Sequence, residues 1–455
     1  MASAAEQLAA NLNFSSFSKA KDLHSRIWFT IGALLVYRLG TFLPIPGIDL
    51  VAFQEAFKSA QAGFLGMFNT FSGGAVERLA IFALNVMPYI SASIIIQLLA
   101  SFPGRLETMK KDGESGRQQL TQITRYLTVV LAIVQSFSIA KGLESSPNVV
   151  TNPGLLFEIS TVVTLTGGTL FLMWLGEQIT ARGIGNGVSL IIFAGIVAEL
   201  PRSIWGSLKL LQEGSLSGFA VFAMAAVLAL AVIFIVFVER SQRRVVIQYP
   251  KRQVGNKVYQ GDTSFLPLKV NTAGVIPPIF ASSLLMIPAT IVGLMGASSE
   301  SATDPQWWQV AQEWIRVAAG NMTHGKPLFM IVYAALIMFF AVFYTSIIFN
   351  VDETADNLRK NGGFLPGIRP GAKTAQYLDK VLTRLTVIGG TFLVLICLVP
   401  ELVFAGVGSA FSLGGTSILI VVSVTIDTVS QIQSHMLAHQ YEGLAKKSKL
   451  RGRKR

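Results

Sequence analysis

The sequence is poor in charged residues, in histidine and in cysteine. Charged residues make up 14% of the 455 positions, whereas hydrophobic residues make up 51%. Soluble globular domains carry about 25% charged residues, so the composition excludes that class and indicates a polytopic membrane protein. The single cysteine, Cys397, lies inside an apolar run. A disulfide within the chain is therefore excluded, and redox chemistry is not expected.

Residues that usually carry catalysis or bind metals are scattered. His435 and His439 share helical spacing, but no glutamate follows them in an HExxH arrangement. The pair could be a partial metal site or two polar residues at a helix end, and we favour the second because no third ligand is evident. The glycines at 183–187 have no preceding strand, so close helix packing explains them better than a dinucleotide loop. We expect no catalytic residue, no metal and no cofactor.

Ten apolar segments reach the length of about 20 residues that a helix needs to cross a bilayer. They lie near 26–43, 77–100, 122–141, 156–176, 184–204, 217–238, 272–295, 327–349, 383–405 and 414–437. No small-residue cleavage site follows the first segment, so we do not expect a cleavable signal peptide. With both termini in the cytoplasm, most of the 37 Lys and Arg residues lie in cytoplasmic segments, as the positive-inside rule requires.

Interruptions of the spans recur in the second part of the chain. Pro88 interrupts the second span, and Pro277 and Pro278 interrupt the seventh. Five spans followed by five more require the second set to run inverted across the membrane. Interrupted spans at matching positions of inverted repeats indicate a functional site at the repeat interface.

Glycines open the fifth span in each part, at 183–187 and 414–415. Together with the matched prolines, they indicate an internal repeat. We therefore predict an all-α fold, a polytopic membrane protein with ten transmembrane helices in two inverted five-helix halves. The halves are 1–214 and 215–455.

A glycine-rich leader, FSGGAVER (71–78), precedes the interruption in the second span. Glycine in a helix interior costs about 1 kcal/mol relative to alanine, so Gly73 and Gly74 predict a hinged lead-in element. Pro88 removes a backbone hydrogen bond, so the span should be broken where neighbouring protein satisfies the freed groups. Two interpretations stay open, a broken span that lines a cavity and a proline-kinked packing helix.

Branched apolar side chains flank the interrupting prolines. Val86 and Ile90 lie around Pro88, and Ile279 follows Pro278. A narrow ring of such groups holds no stable water column and blocks ions by dewetting. Ordinary core packing uses the same residue types, so periodicity alone does not separate a seal from a core.

Cytoplasmic loops at 239–270 and 350–382, together with the basic tail KKSKLRGRKR, offer surfaces for soluble partners. In the second loop, two Pro-Gly pairs bracket Ile368 and Arg369 and fix a tight turn. A solvated turn is the plain alternative. Two prolines and an isoleucine, a residue type that is usually buried, are unusual in a loop that only connects two helices. We therefore predict that this turn presents Arg369 to a docking partner.

Asp427 is the strongest candidate for an ionisable group inside the membrane. An unpaired charge inside the membrane costs free energy, so an ionisable residue there usually has a function. One carboxylate is thin support for a proton or sodium relay, so we expect Asp427 to have a structural pairing role. Glu177 and Arg38 lie near span ends, where they can reach the interface.

Longer motifs resemble one family over nearly the whole chain. They include FLPIPGIDL (42–50), KKDGESGR (110–117), FLMWLGEQITARGIGNGVSLIIFAGIVA (171–198), LPLKVNTAGVIPPIFASS (266–283) and NVDETADNLRKNGGFLPGIRPG (350–371). These motifs closely resemble the bacterial SecY family, in particular its Gram-negative members. The resemblance implies the central channel subunit of the Sec translocon in the plasma membrane.

The resemblance also implies roles for individual residues. The implied pore ring is Val86, Ile90, Ile192, Ile279 and Ile420. The implied plug lies around 65–76 and includes Phe71, Ser72, Gly73 and Gly74. The implied lateral gate includes Ser91, Gln97 and Pro278. The implied docking residues for cytoplasmic partners are Arg243, Arg244, Lys251 and Arg369.

By the same resemblance, the channel is a passive pore for unfolded secretory polypeptides that releases hydrophobic segments sideways into the bilayer. The implied partners are the SecE and SecG membrane subunits, the SecA ATPase, the ribosome, signal sequences and nascent polypeptides. Clustered Lys and Arg in the tail can bind anionic lipids or ribosomal RNA by charge, and a homodimer is left open. The alternative from another class is an ion-coupled small-solute secondary transporter, and a basic membrane anchor for nucleic acid is a third.

Overall fold

The computed structural model describes most of the chain between residues 21 and 452. The described ranges are 21–60, 69–102, single residues between 104 and 109, 113–144, 148–214, 217–249, 252–254, 257–259, 263–285, 326–405 and 414–452. Everything below concerns these residues.

Helices dominate the described part of the chain. In chain order they are α1 Lys21–Gly40, α2 Leu50–Ala60, α3 Met87–Leu99, α4 Glu114–Glu144, α5 Leu155–Arg182, α6 Gly187–Gln212, α7 Gly218–Arg240, α8 Ile276–Leu285, α9 Pro327–Ile348, α10 Val351–Lys360, α11 Ala372–Ala405 and α12 Gly415–Gly452. Seven of the described helices are long and apolar enough to cross a membrane, and α3 and α8 are shorter apolar helices. Each of the ten predicted spans overlaps one helix. The mostly helical, multi-pass class is confirmed, and the count of ten spans stays a prediction.

The second predicted span begins later than the apolar pattern indicated. Residues 72–86 form consecutive turns rather than helix, and α3 begins at Met87. Leu79 and Asn85 have positive φ angles of 41° and 50°, which a regular helix does not permit. Pro88 therefore lies in the first turn of α3, where its missing N–H leaves no helix bond unmade. The interpretation as a proline-kinked helix was wrong, because the helix starts at the proline.

The seventh predicted span follows the same pattern. Helix α8 begins at Ile276, so Pro277 and Pro278 also fall in a first turn. Just before it, Asn271 accepts a hydrogen bond from the N–H of Gly274 at 3.1 Å and donates to a carboxylate oxygen of Glu239 at 3.0 Å. The two proline interruptions thus share one local cause, a helix that starts at proline after non-helical chain.

The glycines that open the two fifth spans lie against a neighbouring helix. A Cβ atom on Gly187 would overlap the backbone carbonyl of Gly176 in α5, and one on Gly415 would overlap the carbonyl of Ile396 in α11. No side chain larger than hydrogen fits at either place. Close helix packing, as predicted for 183–187, is confirmed.

A β-hairpin in the loop between α7 and α8 was not predicted. Strands β1 Gln242–Gln248 and β4 Thr263–Lys269 pair antiparallel, and β2 Arg252–Val254 pairs with β3 Lys257–Tyr259. Strand β1 alternates around the buried residues Val245 and Ile247, as a strand with one buried face does.

The hairpin is tied to the loop that carries Arg369. Gln248 and Phe364 exchange two backbone hydrogen bonds, of 2.9 and 3.0 Å. Beneath them an apolar cluster contains Val245, Leu268, Leu365, Leu378 and Leu382. We call residues 242–248, 263–269 and 363–385 the hairpin module.

The chain divides into two compact units, which are described separately. The first comprises Met1–Tyr89, Arg125–Arg202 and Ile420–Arg455, and the second comprises Ile90–Thr124 and Ser203–Leu419. In the first unit α1 packs on α5, and in the second α9 and α7 pack on α11. The division into halves 1–214 and 215–455 stays a prediction.

Candidate functional site

The segment from Asn69 to Val86, which we call the plug segment, is buried almost throughout although it has little regular structure. Gly73 and Gly74 have φ angles of 66° and 80°, which favour glycine. The turn is closed by the N–H of Gly74, which donates to the carbonyl of Asn69 at 2.9 Å. The predicted plug residues Phe71, Ser72, Gly73 and Gly74 all lie in this buried turn.

Side chains of helix α1 hold the backbone of the plug segment. The hydroxyl of Tyr37 donates to the carbonyl of Ser72 at 3.2 Å, and the Nη1 atom of Arg38 donates to the carbonyl of Gly73 at 2.6 Å. Both bonds satisfy carbonyls that the turn leaves without a helical partner. Arg38, which lies near the end of the first predicted span, thus contributes at least one hydrogen bond to the plug segment.

Helix α6 forms the other wall, at Gly195. A Cβ atom on Gly195 would lie 2.5 Å from the carbonyl oxygen of Phe71 and 3.2 Å from the amide nitrogen of Gly73. Backbone therefore approaches backbone, which glycine alone permits. Ile192, a predicted ring residue, lies about one helical turn before Gly195 on the same helix.

Asn85 links the plug segment to the first predicted ring residue. Its Nδ2 atom donates to the carbonyl of Phe71 at 2.8 Å, and its Oδ1 atom accepts the backbone N–H of Val86 at 2.9 Å. The left-handed backbone of Asn85 is a conformation that asparagine tolerates better than most residues. Sequence reasoning missed Asn85, and its position just before the helix start was the available signal.

Charged residues also meet at the plug segment. Glu77 forms two hydrogen bonds with the guanidinium group of Arg202 on α6, of 2.5 and 2.6 Å. Two parallel bonds of this kind are stronger and more directional than a single contact. The partners are 125 positions apart in sequence, and neither was singled out from the sequence.

The five predicted ring residues are all buried. They are Val86, Ile90, Ile192, Ile279 and Ile420. In the first unit, Val86 ends the plug segment and is bonded to Asn85, and Ile192 lies one helical turn before Gly195, the residue of α6 that contacts Phe71. Ile90 and Ile279 belong to the second unit. Burial agrees with a seal and with ordinary packing, so the ring stays a prediction.

The predicted lateral-gate residues lie at the two helix starts and along α3. Pro278 is buried in the first turn of α8, and Ser91 is buried one turn after the start of α3. Gln97 donates to the hydroxyl of Ser93 within its own helix at 3.0 Å. The gate stays a prediction.

The predicted docking residues are exposed on the hairpin module. Arg243 and Arg244 lie on β1, and Arg369 lies at the turn between Leu365 and the start of α11. Ile368 packs against the apolar cluster below, as its residue type indicated, while Arg369 faces outward. Lys251 lies outside the described residues.

The remaining ionisable candidates lie elsewhere. Glu177 accepts two hydrogen bonds of 2.8 Å from Arg125, so this pair joins α5 to α4. Asp427 is exposed on α12. His435 is also exposed there, and the side chain of His439 lies outside the described residues.

Comparisons with known proteins agree with one another. The family model described as SecY matches residues 80–429. The protein translocase subunit SecY of Rickettsia bellii is 49% identical over 448 residues, which cover 97% of this chain and 100% of the relative.

Two solved structures share the fold. One, which describes how the plug domain of the SecY protein stabilises the closed state of the translocation channel and maintains a membrane seal, matches with a TM-score of 0.66 and 16% identity over 93% of this chain and 95% of that chain. The other, Sec61 in a canine ribosome-channel complex, matches with a TM-score of 0.65 and 17% identity over 93% of this chain and 95% of that chain. The match to the family model and the 49% identity over 97% of this chain decide the family. The chain belongs to the SecY family of protein translocase subunits.

Proposed function

We propose that this chain forms the passive pore through which unfolded secretory polypeptides cross the bacterial plasma membrane, with release of hydrophobic segments sideways into the bilayer. The observation that carries the proposal is the buried turn at 71–78 in the plug segment, which hydrogen bonds and an ion pair attach to α1 and α6. The family, whose relatives are translocase subunits, supports the same function. It does not support an ion-coupled solute transporter.

The ring proposed from Val86, Ile90, Ile192, Ile279 and Ile420 would explain how such a pore stays tight. Branched apolar groups in a constriction exclude a continuous water column, so ions are blocked when no polypeptide is present. A pliable apolar ring also makes no specific contact with the passing chain. Transport can then proceed without sequence preference.

Sideways release follows from the energetics of apolar helices. A signal sequence gains about 25 cal/mol for each Å² of apolar surface that leaves water, so it partitions into lipid once a gate opens. A polar segment has no such gain and must pass through the ring. We place the gate at α3 and α8, with Ser91, Gln97 and Pro278 as its candidate residues.

The hairpin module is the surface proposed for the driving partner. Arg243, Arg244 and Arg369 are exposed on a base of buried leucines, which suits a docking platform for the SecA ATPase or a ribosome, and Lys251 is the fourth candidate. A relative of the same fold has been solved in a ribosome-channel complex. SecE and SecG are the proposed membrane partners, and both termini are placed in the cytoplasm by the positive-inside rule.

Replacing Ile90 and Ile279 by glycine tests the pore. We expect the double variant to conduct ions at rest and to export proteins with poorly hydrophobic signal sequences. Leu284→Gly, an exposed apolar position on α8, is the matched control and should stay tight. Unchanged ion permeability combined with lost uptake of a small solute would contradict the proposal and favour a carrier.

A further inference from the structure

Five charged side chains of the first unit interact with one another beside the plug turn, and we call them the Gly74 charge cluster because two of them lie against Gly74. Its members are Arg38, Glu77, Arg78, Glu199 and Arg202. A Cβ atom on Gly74 would lie 2.9 Å from the Nη2 atom of Arg78 and 3.1 Å from the Oε2 atom of Glu199. The plug backbone thus passes between a guanidinium group and a carboxylate.

Two of the cluster's residues attach the end of the plug segment to different helices. Glu77 is bound in parallel by both terminal nitrogens of Arg202 on α6. Arg78, the next residue, donates to the carbonyl of Thr41 at 3.4 Å and lies 4.3 Å from the ring centroid of Phe42, both at the end of α1. Adjacent residues of opposite charge therefore clamp the segment between α1 and α6.

Arg202 has a second carboxylate within reach. Its Nη1 atom lies 3.6 Å from the Oε1 atom of Glu199, one turn earlier on α6. The Glu199 side chain is 8% exposed, whereas that of Arg202 is 54% exposed. If Glu77 leaves, Arg202 keeps a carboxylate neighbour on its own helix, so breaking the Glu77 contact does not leave Arg202 without a partner. Leaving a charge without a partner is the usual large cost of separating an ion pair.

We propose that Glu77 and Arg202 form a releasable latch that holds the plug segment against α6, with Arg202 as the positioning residue and Glu199 as its standby partner. This rests on the proposed function in one respect, that the segment moves when the pore opens. The latch requires no energy source of its own, because the polypeptide that displaces the segment breaks two hydrogen bonds and leaves Arg202 beside Glu199. When the segment returns, the same guanidinium group recaptures Glu77.

The latch can be tested by the accessibility of Ser72, whose residue surface is 0% exposed. Cys397 is replaced by alanine, Ser72 by cysteine, and the purified complex in lipid nanodiscs is treated with a hydrophilic maleimide that reaches both faces. We expect Glu77→Gln to raise the labelling rate about fivefold, the size expected for losing a charge-assisted bidentate pair that is partly exposed to water. Arg202→Gln should give a similar rise, and Arg202→Lys, which keeps the charge but not the paired geometry, an intermediate one.

Two features separate a latch from general damage. Because the two residues act through one contact, the double variant should label no faster than the faster single variant. Arg125→Gln removes an equally well-formed pair, that with Glu177, in which neither partner belongs to the plug segment, and should leave labelling unchanged.

Unchanged labelling in both single variants, or a double variant whose increase is the product of the two single increases, would overturn the latch. This readout needs no transport. Failure of the latch would therefore leave the pore test with Ile90 and Ile279 unaffected, and failure of the pore test would leave the labelling result standing.

Discussion

The first half of the plug segment, residues 69–78, and the hairpin module are held in different ways. Residues 69–78 are almost entirely buried, and the contacts that join them to neighbouring helices are polar: bonds from Tyr37 and Arg38 to backbone carbonyls, and the pair between Glu77 and Arg202. The second half, from Leu79 onward, lies in an apolar cluster of its own. The hairpin module is exposed, but its strands and loop lie on a continuous apolar cluster that includes Leu378 and neighbouring leucines.

The difference shows that the burial of a segment does not determine how firmly the segment is held in place. Polar contacts can be exchanged for contacts with water or with another side chain at little net cost, since a typical hydrogen bond contributes about 1 kcal/mol net. Apolar contacts have no such substitute, and losing them costs the full transfer and cavity terms. A segment that must leave and return suits the first kind of attachment, and a platform that must resist a pushing partner suits the second.

Leu378→Ala should have the largest effect on this comparison. Leu378 is fully buried at the base of the hairpin module, and truncating such a leucine costs about 2–5 kcal/mol. We expect amide hydrogen exchange at Gln248 and Phe364 to accelerate on the order of a hundredfold. Lys380→Ala, at an exposed position of the same helix, should change exchange little. Equal exchange in the two variants would mean that the cluster does not fix the module.

Gly195→Ala should unseat the plug segment by steric overlap, and the methyl group would also lie 3.0 Å from the Tyr37 hydroxyl that bonds the Ser72 carbonyl. The added methyl group would press on the carbonyl of Phe71, and such overpacking costs about 1–3 kcal/mol. We expect faster maleimide labelling at position 72 and resting ion leakage. Gly206→Ala on the same helix, where a Cβ atom meets nothing within 4 Å, is the control. A tight, unlabelled Gly195→Ala channel would show that α6 is not the seat of the segment.

Arg369→Glu should act on the exposed region without disturbing its base. Reversing a charge at a docking tip places like charges together if the partner surface is acidic, and we expect a loss of ATPase-driven export of roughly tenfold or more. Protease resistance of the hairpin module should stay at the wild-type level. Lys360→Glu, an exposed charge reversal at the end of α10, is the control. Normal export by the Arg369 variant would refute the docking role.

Truncation after Leu450 should have the smallest effect, because the basic tail belongs to neither region. We expect export to change by less than about twofold at physiological salt, where tail charges act mainly through screened attraction to lipid or RNA. Export assays with and without the tail decide this. Loss of all activity would instead make the tail the functional element.

Local patterns in the sequence predicted much of the architecture. Each predicted span overlaps a helix, and the glycines at 183–187 lie where close packing excludes any side chain. The boundary of the second span could not be predicted, because residues 79–86 are as apolar as a helix while Leu79 and Asn85 take left-handed backbone conformations. The hairpin was missed because short strands with arginines at exposed positions resemble an ordinary charged loop.

The polar attachments of the plug segment were beyond sequence reasoning for a different reason. Arg38 and Glu77 each look like residues at a span end, and their partners are set by tertiary packing at separations of 35 and 125 positions. No periodicity relates such positions. The predicted roles of Phe71, Gly73 and Gly74 came from resemblance, and the geometry adds how that turn is held.

Asn85 gives the channel a genetic property as well as a structural one. One side-chain amide binds both the Phe71 carbonyl and the Val86 backbone, so the proposed plug and the proposed ring share a single residue. A substitution there should appear in two phenotypes at once, a plug that exchanges too readily and a constriction that leaks. Suppressors of either defect would then be expected to correct the other.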